Sequence, residues 1–193
     1  MEPRWSGVRV LAHFADRQAT FVDEDGEDCT AEFADVATAL SGAAGADDLI
    51  LDGWLTVQAT QPGSTDPDNG VDAPSAGAMM MQMMVGSRIL RASPPKHRLD
   101  PNTPIAFVAI DLLRVDGTAL LDVPLLERKR LLESCVRPEG LIRVTPFVRH
   151  PIGSFVATWR GMGFDGLVYK SANSRYLPGA ANNDCTSVPM PIK

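Results

Sequence analysis

Lysine is nearly missing from this chain: four residues of 193, namely Lys96, Lys129, Lys170 and Lys193. Acidic residues outnumber basic ones, 24 to 18, for a net charge of −6. A strongly basic nucleic-acid surface is therefore not expected, because duplex affinity rests largely on Lys and Arg neutralising phosphates. Cysteine is also sparse. Cys29, Cys135 and Cys185 are odd in number, widely spaced and form no CxxC pair. That pattern excludes a disulfide framework and a zinc site, and reads as free thiols in a reducing compartment. No apolar run reaches membrane-spanning length, and the N-terminus has no signal-peptide apolar segment, so no membrane partner and a cytoplasmic location are expected. What remains is a chain 45% hydrophobic and 22% charged, enough for one domain over 1–193 with a buried core.

Along the chain, Val8 to Asp23 reads as a hairpin turning at Asp16-Arg17. Asp23 to Asp28 is an acidic turn without the ligand spacing of a calcium loop, and reads as solvated. Thr30 is placed to cap a helix over Ala31 to Ser41, with Phe33, Val36, Ala37 and Leu40 on one face, ended by Gly42 to Gly45. Leu49 to Val57 is a strand interrupted by Asp52-Gly53. Residues 58–74 are a polar loop rich in Pro and Gly. A Met-rich run from Ala78 starts a helix to about Arg91, broken by Pro94-Pro95, with Arg88, Arg91, Lys96 and Arg98 clustered nearby as a solvated surface. Ile105 to Leu113 is a strand apolar enough to need cover on both faces, in which Asp111 is costly unless paired or at a site. Asp116-Gly117 turns, and Asp122 caps a helix carrying Pro124 in its first turn and running to about Cys135. Glu127-Arg128-Lys129-Arg130 reads as its solvated face. Leu141 to Val148 is a further strand, Ser154 to Met162 a short helix, and the tail beyond Gly179 has no periodicity. Six or more strands and four helices in mixed order imply an α+β fold with antiparallel sheets.

Phe164-Asp165-Gly166-Leu167-Val168-Tyr169-Lys170 is a short strand bounded by turn residues, acidic at one end and basic at the other. The odd spacing of Asp165 and Lys170 sends them to opposite faces unless a bulge intervenes. With Ser171 to Gly179 this stretch resembles the Glu-Gly-Val-Val-x-Lys motif and Ser-x-Tyr-x-Pro-Gly loop of ATP-dependent DNA ligases. Glu2-Pro3-Arg4-Trp5-Ser6-Gly7-Val8-Arg9 is similar to their Glu-Pro-Lys-Trp-Asp-Gly-x-Arg, and Leu51-Asp52-Gly53-Trp54-Leu55 to Leu-Asp-Gly-Glu-Leu. Phe107 to Leu113 resembles Val-Ala-Phe-Asp-Leu-Leu, and Leu121 to Leu132 the Leu-Pro-Leu-x-Glu-Arg helix. The resemblance covers nearly the whole chain and is nearest to the small actinobacterial and end-joining ligases. It implies a ligase-type nucleotidyltransferase (ATP-grasp-like) domain: two packed antiparallel β-sheets, flanking helices and a central cleft. The family's oligonucleotide-binding domain is expected to be absent, the sequence stopping where it would begin.

The departures bear on mechanism. In the family a lysine attacks the α-phosphate of ATP, which requires an amine able to lose its proton. Arg4 stands there, and a guanidinium stays protonated. The neighbouring aspartate is Ser6, the glutamate of the third motif is Trp54, and the aromatic expected to stack on adenine is Ile110. The final Trp-x-Lys-x-Lys falls on Cys185 to Pro189, without either lysine. The resemblance retains Glu2, Arg9, Asp52, Asp111, Asp165 and Lys170 as cleft residues beside Trp54 and Ile110. Asp165 is the one candidate metal ligand. Arg4 and Lys170 hold the catalytic positions, but Lys170, a lone ammonium without a base, is poorly activated as a substitute nucleophile.

Three functions are open. The first is a degenerate ligase homologue acting as a binding or accessory protein. The second is an enzyme with the cleft refitted for a non-nucleotide substrate, in specialised metabolism. The third is an ATP-dependent DNA ligase in DNA repair, which chemistry ranks last. The expected partner is a small-molecule ligand or a protein, with weak DNA binding. No cofactor is expected unless the family activity survives, in which case ATP and Mg are. Trp54 and Ile110 favour an apolar or aromatic ligand.

Overall fold

The structure is a computed structural model that describes residues 1–57, 104–150, 153–180 and 182–191. The loop at 58–74, the Met-rich helix and the basic cluster after it lie outside the described residues. Among the described residues nine strands form two sheets. The larger is built on β2 (Val8–Ala15), β3 (Gln18–Asp23), β4 (Asp48–Thr56), β5 (Ala106–Val115) and β6 (Thr118–Ala119), in the order β3-β2-β4-β5-β6. The sixth strand of this sheet, β7 (Ile142–Val144), is short and runs parallel to β5. The smaller sheet has the order β1-β8-β9, with β1 (Glu2–Pro3), β8 (Gly166–Lys170) and β9 (Cys185–Pro189), all antiparallel. The helices are α1 (Ala34–Ala43), α2 (Leu125–Cys135) and α3 (Gly153–Gly161). The α+β class and the two-sheet architecture agree with expectation, apart from the one parallel pair.

Local chemistry explains most of these elements. The β2–β3 hairpin closes on Asp16 and Arg17, with φ of 51° and 63°, between paired Ala15 and Gln18. Two successive positive φ values make the turn that matches the twist of the flanking strands. Asp116 and Gly117, with φ of 43° and 79°, turn β5 into β6 in the same way. Every residue of β5 from Ala106 to Leu113 is buried, as its unbroken apolar run requires. Phe33, Val36 and Leu40 of the first helical segment are buried with Phe21 and Leu51 in the main core. A second cluster, Trp159, Phe164 and Leu167 with Trp5 and Val188 against them, lies on the smaller sheet.

Several expectations are corrected. Thr30 does not cap an α-helix: it opens a short 3-10 turn (Thr30–Phe33), and its hydroxyl accepts the Phe21 N–H at 2.8 Å. Asp122 does not cap α2 either, being paired with Arg175 at 2.9 Å. The first free N–H groups of α2, on Leu125 and Leu126, donate to the carbonyls of Ser174 and Ala172, so a distant loop satisfies what a local side chain would otherwise. Leu141 to Val148 shrinks to three strand residues. The tail is not irregular throughout, since β9 pairs with β8 from Gly166↔Pro189 to Lys170↔Cys185. Strand β4 runs through Asp52-Gly53, and the irregularity lies in its ladder with β5, which slips at Ile50/Leu51 and at Asp52/Gly53.

Gly53 is required there by packing. A Cβ at this position would sit 2.4 Å from the Phe107 ring and 2.6 Å from the Val108 carbonyl oxygen, so Phe107 lies across bare backbone. Gly53→Ala is expected to destabilise the domain by about 1–3 kcal/mol through overpacking, read as a lower urea midpoint with an unchanged m value.

Candidate functional site

Strand alternation decides which residues share a face. Glu2 is opposite Val168, Ser187 is also opposite Val168, and Cys185 is opposite Lys170. Side chains two apart in a strand point the same way, so Glu2, Val168, Lys170, Cys185, Ser187 and Pro189 lie on one face of the smaller sheet. Leu167 and Val188, on the other face, join the Trp159 cluster. The resemblance assigns the two final-motif lysines to Ser187 and Pro189, on the same face as Lys170.

Arg4 follows β1 and crosses Gly166, where a Cβ would lie 2.6 Å from the guanidinium carbon. Its Nε donates to Asp165 Oδ1 at 3.2 Å, its Nη2 lies 3.0 Å from Oδ2, and Nη1 donates to Ser187 Oγ at 3.4 Å. The side chains are 38% and 64% exposed, so the pair orients Arg4 without contributing much stability. Asp165 and Lys170 have different partners, as their odd spacing predicts.

The Glu2 carboxylate takes two ammonium groups. Lys129 Nζ is 2.7 Å from Oε1 and Lys170 Nζ donates to Oε2 at 2.8 Å. Lys129 also donates to the Ile110 carbonyl at 2.6 Å and lies 5.8 Å from the centre of the Phe147 ring. Burial pushes the Glu2 carboxyl up, but the two ammoniums outweigh it and hold it below its ordinary 4.5. Burial lowers Lys129 below its ordinary value, with Glu2 opposing and Lys170 adding to the fall. The expectation that Arg128 and Lys129 belong to a solvated face is therefore overturned: both are buried, while Glu127 and Arg130 pair on the surface. The signal was present. Leu125, Arg128, Lys129 and Leu132 fall at i, i+3, i+4 and i+7, the spacing of a buried stripe, with charge at its two middle positions. Lys170 is correspondingly not a lone ammonium.

On the larger sheet Asp52 and Asp111 stand directly opposite each other, a like-charge juxtaposition that is unfavourable by itself. Each has its own arginine. Arg9 grips Asp52 through Nε and Nη2 at 3.1 and 2.8 Å, and Arg128 grips Asp111 through the same atoms at 2.9 and 2.7 Å. Of the two ways to offset the cost of a buried Asp111, a partner or a place in a site, the partner is present in Arg128. Tyr176 donates its hydroxyl to Asp52 Oδ2 at 3.0 Å; burial and then Asp52 raise its pKa well above the ordinary phenol value. Tyr176 was missed as a site residue, although it stands in the Ser-x-Tyr-x-Pro-Gly loop. Trp54, half-buried on β4, is the ladder partner of Arg9. Ile110 is the residue skipped at the second β4–β5 slip, opposite Asp52/Gly53, and is buried, so Trp54 is the more open of these two apolar residues.

Among the described residues no group of three or more His, Cys, Asp or Glu is arranged to hold a metal ion, and Asp165 has Arg4 as its partner. No helix there is long and apolar enough to cross a membrane. Two open hollows, of about 330 and 270 Å³, are lined at Ala43–Gly45 with Glu133–Pro138 and at Phe14, Asp16, Arg17 and Asp47; neither includes a motif residue.

The depressed Glu2 carboxyl has a consequence for acid stability. Below pH 4.5 the unfolded chain binds protons at Glu2 that the folded one refuses, so stability present above 4.5 is lost as pH falls towards the folded value. Glu2→Gln should lower stability at neutral pH and flatten the acid limb, measured as urea midpoints between about pH 3 and 7.

The chain is similar to known proteins. Residues 1–186 match the ATP dependent DNA ligase domain. The chain is 26% identical over 180 residues to DNA ligase C1 of Mycolicibacterium smegmatis, an alignment covering 92% of this chain and 48% of that protein. It is 28% identical over 178 residues to the multifunctional non-homologous end joining DNA repair protein LigD of Mycobacterium tuberculosis, covering 92% and 20%. The chain thus spans about half or less of these relatives' length. The crystal structure of the ligase domain from M. tuberculosis LigD shares the fold, with a TM-score of 0.63 at 23% identity over 96% of this chain and 52% of that one. Equal values hold for mycobacterial DNA ligase D complexed with ATP and MES. By the match over residues 1–186, this chain belongs to the ATP dependent DNA ligase domain family.

Proposed function

We propose that this domain is a catalytically degenerate member of its family, a binding or accessory protein that uses the inherited nucleotide cleft without transferring AMP. The observation that carries this reading is Arg4. At the position where the family has its lysine nucleophile stands a guanidinium, paired with Asp165 and hydrogen-bonded to Ser187. Nucleophilic attack on phosphorus needs a neutral amine, which arginine does not supply.

The neighbouring residues support the same reading. Arg9, Lys129 and Lys170 each already face a carboxylate of the protein. Ser187 and Pro189, where the family has phosphate-neutralising lysines, bring no charge to the face of Lys170. Family membership implies ATP and Mg, but these residues fit a reacting triphosphate poorly, since phosphoryl transfer is catalysed mainly by positioning and charge neutralisation. Trp54 offers instead a half-open indole beside Arg9, suited to a flat apolar ligand body. Membership of the family favours a second reading, an active ATP-dependent ligase in DNA repair, and one experiment separates the two.

Incubation with labelled ATP and magnesium is expected to leave no covalent AMP on the protein, and Arg4→Lys alone is not expected to restore it. An acid-labile, base-stable adduct on the wild-type chain would overturn the degenerate reading. The protein is also expected to bind nicked duplex DNA weakly and with no preference for the nick, because a net charge of −6 opposes the counterion-release driving force. A gel-shift titration at physiological salt checks this. Submicromolar, nick-selective binding would point back to a ligase.

A further inference from the structure

The buried charges around Glu2 do not balance. Glu2 and Asp111 supply two negative charges, while Lys129, Lys170 and Arg128 supply three positive ones. Asp111 and Arg128 satisfy each other bidentately, so the surplus belongs to the two lysines that share Glu2. A surplus charge in a poorly solvated place is costly without a counter-charge.

The two lysines are not equivalent. Lys129 is 2% exposed and is held from two sides, by Glu2 and by the Ile110 carbonyl. Its stem comes up from α2, and its ammonium does not reach the surface. Lys170 is 16% exposed, and Glu2 is its one hydrogen-bond partner among the described residues. An ammonium has three donors, so Lys170 has donors to spare on the face it shares with Ser187 and Cys185. If Lys170 left Glu2, the carboxylate would still have Lys129 at 2.7 Å.

We propose that Lys129 is a positioning residue for Lys170: by neutralising Glu2 from within the fold, it lets Lys170 exchange that carboxylate for an anionic group, phosphate or carboxylate, on a cleft ligand. This rests on the reading that the cleft still binds a ligand, and it refines the class of that ligand to one with an oxyanion near Lys170. With Lys129 absent, Lys170 is the one ammonium left hydrogen-bonded to Glu2 among the described residues, and the carboxylate does not release it.

The scarcity of lysine makes the test direct. With four lysines in the chain, NMR of isotope-labelled lysine side chains resolves each one, and Lys170→Met assigns the Lys170 signal. The full chain is titrated with inorganic pyrophosphate and, separately, with citrate, to distinguish phosphate-borne from carboxylate-borne anions. The Lys170 signal should move with at least one probe while the Lys129 signal holds. Lys129→Met should weaken that probe by about tenfold or more, and Glu2→Gln/Lys129→Met should bring affinity back to within about threefold of wild type. A purely structural role for Lys129 predicts loss without rescue, and that result overturns the proposal. So does an unmoved Lys170 signal with both probes, or unchanged affinity in Lys129→Met. Should Lys129→Met not fold, Lys129→Arg keeps the charge and is expected to keep affinity within about threefold; a loss as large as that predicted for methionine would overturn the proposal. A failure here leaves the absence of AMP transfer standing, and an AMP adduct in the labelling experiment leaves the lysine exchange readable, so the two ideas fail separately.

Discussion

The grip of two lysines on the Glu2 carboxylate is the interaction on which the arrangement of the two sheets turns. Glu2 belongs to β1 and Lys170 to β8, both in the smaller sheet, whereas Lys129 comes from a helix packed on β5 of the larger one. Because Lys129 also holds the Ile110 carbonyl, a single ammonium bonds to both sheets. Losing it would leave the Ile110 carbonyl without that donor and Glu2 with one ammonium in place of two, which is destabilising in so buried a network.

The rest of the junction is made in the same manner. Trp5 Nε1 donates to Thr145 Oγ1 at 2.9 Å, Tyr176 reaches Asp52, and the backbone of the segment after β8 meets α2 and Leu121. Each sheet has its own apolar cluster, and polar groups join them. Polar junctions are specific in direction and distance, so this one fixes how the cleft faces sit, where an oily junction would tolerate sliding. The pairing of Asp52 with Arg9 and of Asp111 with Arg128 follows the same logic: two carboxylates opposed across a ladder are tolerable only when each carries its own bidentate cation.

Much of this was legible in the sequence. Hairpin turns at Asp16-Arg17 and Asp116-Gly117, the buried strand over β5 and the need for a partner at Asp111 follow from local rules. What was hidden had non-local causes. Arg128 and Lys129 look like solvent-facing charges until Asp111 and Glu2, far away in the chain, are known to lie beneath them. Strand β9 has almost no apolar alternation, because its order derives from the ladder with β8 and not from a buried face of its own. Thr30 and Asp122 carry the right chemistry for caps, but other partners, the Phe21 amide and Arg175, claim their side chains. Tyr176 gave no periodic signal at all; its place in a loop motif was the only hint.

The amide groups at the start of α2 are closed by carbonyls of Ala172 and Ser174, nearly fifty residues downstream. This has a bearing on the order of assembly. A helix of eleven residues is marginal by itself, since nucleation is costly and short helices in water depend on tertiary support. During synthesis residues 125–135 emerge well before the strand and loop that will finish their first turn, and their two central cations emerge before Lys170 completes the grip on Glu2. The helix therefore matures together with the C-terminal part of the domain, through contacts of long sequence separation whose loop-closure entropy slows folding. A chain truncated before residue 171 would lose more than strand β9: it would leave the first amide groups of α2 without their carbonyl partners.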